Sequence, residues 1–158
     1  MIPPFVVPLF AIGVLAFLVL FLVVGTYNRF VALRNRIAKA WANIDVALKQ
    51  RHDQLPNLVA AVRGLMAFEK DVLEEVTAAR SAYRPDASIP AQAATSDATS
   101  AAVRHLFAVV EGYPEVKSAA NVAALQAEIA RLEDVIADRR ELYNDSVFRY
   151  NTLLQQMP

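Results

Sequence analysis

The sequence predicts an all-α protein, with a single N-terminal transmembrane helix followed by an antiparallel bundle of about four helices. Three observations support this fold class. The first 28 residues carry no charged side chain. The remaining chain places apolar residues at the three- and four-residue spacing of amphipathic helices. No segment shows the alternation of polar and apolar residues that a half-buried strand requires.

Length and composition limit both the fold and the class of function. The chain has 158 residues, of which 56% are hydrophobic, and its mean hydropathy is +0.30. Without the apolar N-terminus, about 130 residues remain, which is enough for one compact domain. The 16 basic and 16 acidic residues balance, so the chain lacks the basic excess of a nucleic-acid-binding protein. The absence of cysteine excludes disulfides and thiolate metal sites.

Residues 5–25 are predicted to form the transmembrane helix, after a short extracytoplasmic N-terminus of residues 1–4. The segment from Phe5 to Val24 reads FVVPLFAIGVLAFLVLFLVV, and a helix of this length spans roughly 30 Å, the thickness of the hydrocarbon core of a bilayer. A cleaved signal peptide is the alternative. It is disfavoured because no basic residue precedes the apolar run and no small-residue cleavage site follows it.

The charges that flank the span predict its orientation. Four basic residues follow it: Arg29, Arg34, Arg36 and Lys39. No acidic residue occurs before Asp45, so the positive-inside rule places the N-terminus outside and residues 26–158 in the cytoplasm. The same four cations would lie near anionic lipid headgroups. The role of these cations in setting the orientation of the span is enough to explain their presence, and contact with headgroups is an alternative role.

The soluble part begins with a helix that is continuous, or nearly so, with the span, although Gly25 could allow a bend. Its apolar face comprises Phe30, Leu33, Ile37, Trp41, Ile44, Leu48 and Leu55. Pro56 disfavours helix in the residue before it, which predicts an end near Gln54. A second helix, folding back against the first, is predicted from Leu58, Val62, Leu65, Val72, Val76, Ala79 and Tyr83.

The segment 84–101 differs in composition, with two prolines and many Ala, Ser and Thr residues. We expect most of it to be exposed, with a flexible loop at about 84–97 and Ser96 or Asp97 as the N-cap of a third helix. That helix carries Val103, Leu106, Phe107 and Val110, and Gly112 with Pro114 ends it. Ser118 is the expected N-cap of the fourth helix.

The fourth helix has a long apolar seam with polar residues set into it. The seam comprises Val122, Leu125, Ile129, Leu132, Ile136, Arg139, Tyr143, Val147, Tyr150 and Leu154. The pair Tyr143-Asn144 recurs as Tyr150-Asn151, and Arg139 lies on the same line. Together with Asn35 and Asn43 of the first helix, these residues could form a polar layer that fixes the register of the bundle. A polar ligand pocket is the alternative.

Enzymatic chemistry finds little support in the sequence. A dimetal carboxylate site in a helical bundle requires Glu-x-x-His pairs, and neither His52 nor His105 has a glutamate three residues before it. The acidic pairs at 74–75 and 133–134 are interpreted as solvated faces. The sequence therefore predicts no catalytic residue, cofactor, metal or small-molecule substrate.

Short motifs distributed along the chain resemble the LemA family. They are Tyr27-Asn28, LRN at 33–35, AWANIDVALKQR at 40–51, LPNLV at 55–59, Glu69, VTAAR at 76–80, EGYP at 111–114, Asn121, LQ at 125–126, RELYN at 140–144 and YNT at 150–152. Each motif alone is weak, but their order along the chain is specific. Gln50, Gln54 and Phe68 depart from the usual pattern. Relatives usually continue past the position of Pro158, so the resemblance implies either a short member or a truncated chain.

The resemblance implies a protein of the bacterial inner membrane with one span and a cytoplasmic antiparallel bundle. It implies no catalytic activity, and one branch of the family is linked to the formation of magnetosome membranes. We therefore expect a scaffold that binds protein partners or itself. A membrane-shaping or anionic-lipid-binding protein is the alternative.

Overall fold

The computed structural model describes residue 3 and residues 5–63 and 69–156, within which there are five helices and no strand. The helices are α1 (Val6–Arg63), α2 (Lys70–Ser81), α3 (Ile89–Glu111), α4 (Pro114–Lys117) and α5 (Ala120–Gln155). The predicted all-α fold is confirmed. The short α4 was not predicted, and of the expected N-terminal segment 1–4 only Pro3 lies within the described residues.

Helix α1 confirms that the apolar N-terminal segment and the first bundle helix are continuous. It runs for 58 residues without a break at Gly25, and its N-terminal part is long and apolar enough to cross a membrane. Large apolar side chains are exposed from Leu9 to Val24, as expected of a helix whose surroundings are lipid.

The chain divides into two compact units. The first comprises residues 1–40 and 142–158, and the second comprises residues 41–141. The second unit contains the buried core, formed by the C-terminal part of α1 with α2, α3, α4 and most of α5. Its largest fully buried side chains are Ile44, Leu55, Leu58, Leu106, Ile129, Leu132, Val62, Val76, Val103, Val110 and Val116.

Side-chain contacts within the second unit give the helices their antiparallel order. On α1 and α5, Asn43 contacts Arg139 and Arg51 contacts Glu133, so the two helices are antiparallel. On α3 and α5, Asp97 contacts Arg140, and Ser100 contacts Glu133. Helices α1 and α3 therefore each run antiparallel to α5, whereas α1 and α3, which are joined by Arg51, run in the same direction.

The predicted helix break at Pro56 is wrong, because Pro56 lies inside α1. Proline in a helix interior removes one hydrogen bond and costs about 3 kcal/mol. Leu55 and Leu58 on either side of Pro56 are fully buried, and burial of each such side chain stabilises the fold by about 2 kcal/mol. Packing therefore holds the helix together. Leu58 and Val62, assigned to a second helix, belong to α1.

The remainder of the predicted second helix corresponds partly to α2. Val72, Val76 and Ala79 lie on α2, whereas Tyr83 follows its end. Leu65 and Phe68 lie outside the described residues. The reversal of chain direction that was expected near Pro56 therefore lies between the end of α1 at Arg63 and the start of α2 at Lys70.

The predicted loop at 84–97 is too long, because α3 begins at Ile89 with Pro90 in its first turn. Ser96 and Asp97 therefore lie inside α3 and are not its N-cap. Gln92, Ser96 and Thr99 are buried. Small and polar residues spaced by three or four let α3 pack closely against its neighbours, so a composition typical of a loop here forms a buried helical face.

The predicted C-terminal end of α3 is confirmed, whereas the predicted N-cap of α5 is wrong. Gly112 is the C-cap of α3, as expected. Ser118 is the C-cap of α4 and its hydroxyl donates to the carbonyl of Glu115, so it is not the N-cap of α5, which begins at Ala120. The predicted α5 seam is buried at Val122, Ile129, Leu132 and Ile136.

Candidate functional site

The four cations that follow the apolar segment are all exposed on α1. Arg29 and Arg36 are seven residues apart and share one face of the helix, since two turns separate them. Arg34 and Lys39 lie on other faces. The cations therefore surround α1 rather than converge on one point, an arrangement suited to a headgroup layer on all sides of a helix.

A surface groove of about 450 Å³ lies between α1 and α5 in the first unit. We call it the α1–α5 groove. It is lined by Arg29, Ala32, Leu33, Phe148, Arg149, Thr152, Leu153 and Gln156. Arg149 is held in place by Asp145, whose carboxylate oxygens accept hydrogen bonds from its Nε at 2.9 and 3.0 Å. Phe148 is 70% exposed.

The tyrosine-asparagine residues of α5 take separate positions. The ring of Tyr150 packs edge-on against Phe30 at 5.6 Å between centroids, and Tyr143 is half-buried. The structure leaves four asparagines of the expected polar layer exposed: Asn35, Asn43, Asn144 and Asn151. Arg139 is half-buried and donates a hydrogen bond to the backbone carbonyl of Asn43. Tyr150 and Arg139 of α5 thus contact different parts of α1.

The most buried charge in the second unit is Arg51, which is 3% exposed. Its Nη2 donates to Ser96 Oγ at 2.8 Å, and its Nη1 donates to Ser100 Oγ at 2.7 Å and to Glu133 Oε1 at 2.5 Å. Ser100 Oγ lies 2.7 Å from the other carboxylate oxygen of Glu133. Every member therefore has a partner, as a buried charge requires.

The sequence interpretation missed this cluster, because Glu133 was assigned to a solvated face. Glu133 lies between the buried Ile129 and Ile136, at the edge of the α5 seam, and is 30% exposed. The serines Ser96 and Ser100 are one helical turn apart on α3, in a segment expected to be a loop. The position of the Glu133 carboxylate beside the apolar seam of α5 was the one feature of the sequence that could have indicated the cluster.

A small cavity adjoins this cluster on the side of α2. It measures about 10 Å³ and is bordered by polar groups of His52, Arg80, Tyr83 and Thr99, a volume close to the minimum for one water molecule. The ring of His52 packs against that of Tyr83, with the ring centroids 4.8 Å apart and the ring planes tilted by 36°. Burial, and next the charge of Arg80, lower the pKa of His52 below its ordinary value. The surroundings of His52 therefore disfavour its protonated form.

A larger open groove runs along the second unit between α1 and α2. We call it the α1–α2 groove. Its two parts have volumes of about 610 and 210 Å³ and share Arg63 and Thr77. Its exposed apolar residues are Pro56, Ala60 and Ala78, and the buried side chains of Leu55, Val59, Leu73 and Val76 lie beneath them. Three cations, Arg63, Lys70 and Arg80, and one acid, Glu74, border it, so the groove is apolar with a positive rim.

Three further contacts join distant parts of the second unit. The hydroxyl of Tyr113 donates to Glu69 Oε1 at 2.6 Å, and this bond raises the pKa of Tyr113. Arg140 pairs with Asp97 at 2.6 Å. His105, exposed on α3, contacts Glu75 of α2 at 2.7 Å. Among the described residues, no three acidic or histidine side chains lie together as metal ligands.

In the comparison with protein families, the model of the LemA family matches residues 40–158. The chain belongs to the LemA family. The family is not a known enzyme family. No curated protein matches the sequence.

The LemA motifs quoted from the sequence coincide with the polar contacts of the second unit. Arg51 ends the first long motif, Glu69 and Tyr113 belong to two others, and Arg140 begins a fourth. Arg51, Glu69–Tyr113 and Arg140 each join helices that are far apart in sequence. In this LemA protein, the motif residues that make these contacts act as connections between helices.

Proposed function

We propose that this LemA-family protein is a non-enzymatic interaction module anchored in the bacterial cytoplasmic membrane. Residues 5–25 cross the bilayer, the N-terminus lies outside, and residues 26–158 lie in the cytoplasm. The apolar segment of α1 supports the anchor because it is long enough to cross a bilayer. The cations at 29–39 support the orientation.

The observation that carries the interaction role is the α1–α2 groove. Its apolar lining and open shape are typical of sites that receive an amphipathic helix. Arg63, Lys70 and Arg80 at its rim outnumber the single Glu74, so the partner that fits best is a helix with one apolar face and acidic flanks. Such a segment would be supplied by a protein partner or by a second copy of the chain.

In-cell photocrosslinking tests this role. A photoreactive residue at Ala78, inside the groove, should yield a discrete crosslinked product, and the mass of that product separates a partner from a second copy. The same residue at Ala130, exposed on α5, is the matched control and should yield none. Equal or absent products at the two positions would contradict the proposal.

A second candidate function, membrane shaping or anionic-lipid binding, is favoured by the exposed cations around α1. Cations near an anionic surface contribute about 1 kcal/mol each. Vesicles of anionic lipid that contain the full chain should differ in diameter from protein-free vesicles. The double variant Arg34→Glu with Arg36→Glu should reduce the difference, and vesicles of unchanged size would count against this candidate.

A further inference from the structure

The α1–α5 groove lies at the end of the apolar segment of α1. Arg29 follows Val24 by five residues, which is about 7.5 Å along a helix. The headgroup layer on each side of a bilayer is roughly 5–7 Å thick. Given the proposed anchor, the guanidinium of Arg29 therefore lies at the outer edge of the headgroups, within reach of lipid phosphates.

Helix α5 supplies the second cation of the groove at the same level. Tyr150 packs against Phe30, so Arg149, its neighbour in the chain, lies close to the level of Arg29. Because α5 is antiparallel to α1, the residues that follow Tyr150 approach the end of the apolar segment. Leu153 and Gln156 line that end of the groove, which therefore opens toward the membrane.

The charges in the groove are arranged for an anion. Asp145 accepts from the Nε of Arg149, which fixes the side chain and leaves its Nη nitrogens as donors. Arg29 carries a second positive charge, so the two arginines and Asp145 together have a net charge of +1. A guanidinium that is already oriented loses less entropy when it binds a phosphate.

The apolar part of the groove distinguishes a lipid from a free anion. Ala32, Leu33 and Leu153 form its walls, and the exposed ring of Phe148 lies at its far end. A hydrated inorganic phosphate gains nothing from these surfaces. The headgroup and glycerol of a phospholipid present both a phosphate and CH₂ groups, and about 450 Å³ is ample for them.

We propose that the α1–α5 groove binds the phosphate headgroup of an anionic phospholipid from the adjacent leaflet, through Arg29 and Arg149. This inference rests on the proposed membrane anchor, and it is independent of the α1–α2 groove and its partner. The ring of cations around α1 attracts any anionic surface, whereas the groove selects individual lipid molecules.

Native mass spectrometry of the full chain released from lipid nanodiscs tests the inference. The nanodiscs contain equal amounts of phosphatidylglycerol and phosphatidylcholine. The wild-type chain should retain phosphatidylglycerol selectively. The double variant Arg29→Gln with Arg149→Gln should retain at least about tenfold less, because it removes both cationic donors to the phosphate. The control Arg131→Gln, at an exposed arginine of α5 paired with Glu128, should match wild type.

Each contrary outcome has a distinct meaning. Equal retention by the double variant, with unchanged helical content by circular dichroism, overturns the inference. Displacement of the lipid by millimolar inorganic phosphate also overturns it, because the site then takes a free anion. A photoreactive residue placed at position 148 should crosslink to lipid, and a crosslink to a protein in its place overturns the inference in favour of a protein partner. Failure of the chain to enter nanodiscs contradicts the anchor itself.

Discussion

Arg51 and Glu133 form an ion pair that joins α1 to α5 across the second unit, although 82 positions separate them in the sequence. The two side chains differ in exposure, at 3% for Arg51 and 30% for Glu133. Ser96 and Ser100 complete the cluster from α3. One buried guanidinium therefore fixes three helices in register, which is the best-attested role for buried polar groups in helical assemblies.

The difference in exposure predicts that removing Glu133 lowers the free energy of unfolding more than removing Arg51. Glu133→Ala leaves a buried guanidinium without its carboxylate and should lower the free energy of unfolding by about 3 kcal/mol. Arg51→Met leaves a carboxylate that water can reach, so its cost should be smaller, at about 1–2 kcal/mol. Chemical denaturation of the full chain in detergent measures both. A larger loss for Arg51→Met would contradict the described geometry.

The lowered pKa of His52 predicts a dependence of stability on pH. In the unfolded chain His52 titrates near its ordinary pKa of 6.5, whereas in the folded chain its pKa is lower. Below pH 6.5 the unfolded state binds the proton more readily, so the free energy of unfolding should fall as the pH decreases from 6.5 through the folded pKa. Above pH 6.5 this contribution is constant.

Thermal unfolding between pH 7.5 and pH 5 checks this dependence. His52→Gln removes the titrating group and should flatten the profile over that interval. His105→Gln is the comparison variant, because it removes the other histidine of the chain, which is exposed on α3. A wild-type slope in His52→Gln would assign the effect to other groups.

Pro56 offers a prediction about the continuity of α1. The residue lies inside the helix, where its ring cannot donate to the carbonyl of His52, four residues earlier. Pro56→Ala restores that donor and should raise the free energy of unfolding by about 1–3 kcal/mol. Differential scanning calorimetry measures the change. A lower transition temperature would mean that helix α1 is not continuous at this position.

The Phe30–Tyr150 contact predicts how firmly α5 is held in the first unit. An edge-to-face aromatic pair contributes about 0.5–1.5 kcal/mol beyond the area that it buries. Tyr150→Ala should therefore increase amide hydrogen exchange in residues 147–156 of α5, while Tyr150→Phe should leave it near the wild-type rate. Faster exchange in Tyr150→Phe would show that the hydroxyl, not the ring, makes the important contact.

Local spacing predicted the elements of this fold better than their ends. The α5 seam from Val122 to Ile136 is buried as the three- and four-residue steps indicated, and Gly112 ends α3. Pro56 misled because its local cost is outweighed by burial of Leu55 and Leu58 on either side. The weight of that burial depends on partners from other helices, which spacing along the chain does not reveal.

The polar contacts were harder to predict than the helices. Ser96 and Thr99 belong to a composition typical of loops, yet they are buried on α3 because small side chains allow helices to approach closely. The pairing of Arg51 with Glu133 links positions far apart in sequence. Neither an arginine at position 51 nor a glutamate at position 133 reveals from its local sequence which residue it pairs with. The exposed cations at 29–39, by contrast, follow directly from the charge pattern of the sequence.

The central claim is that one N-terminal span holds the bundle at the cytoplasmic face of the membrane. Labelling of introduced cysteines tests this claim most directly. The chain has no cysteine, so Pro3→Cys and Ala137→Cys each introduce a single thiol at an exposed position. A membrane-impermeant maleimide applied to intact bacterial spheroplasts should label position 3 and should label position 137 only after permeabilisation. Labelling of position 137 in intact spheroplasts would contradict the account.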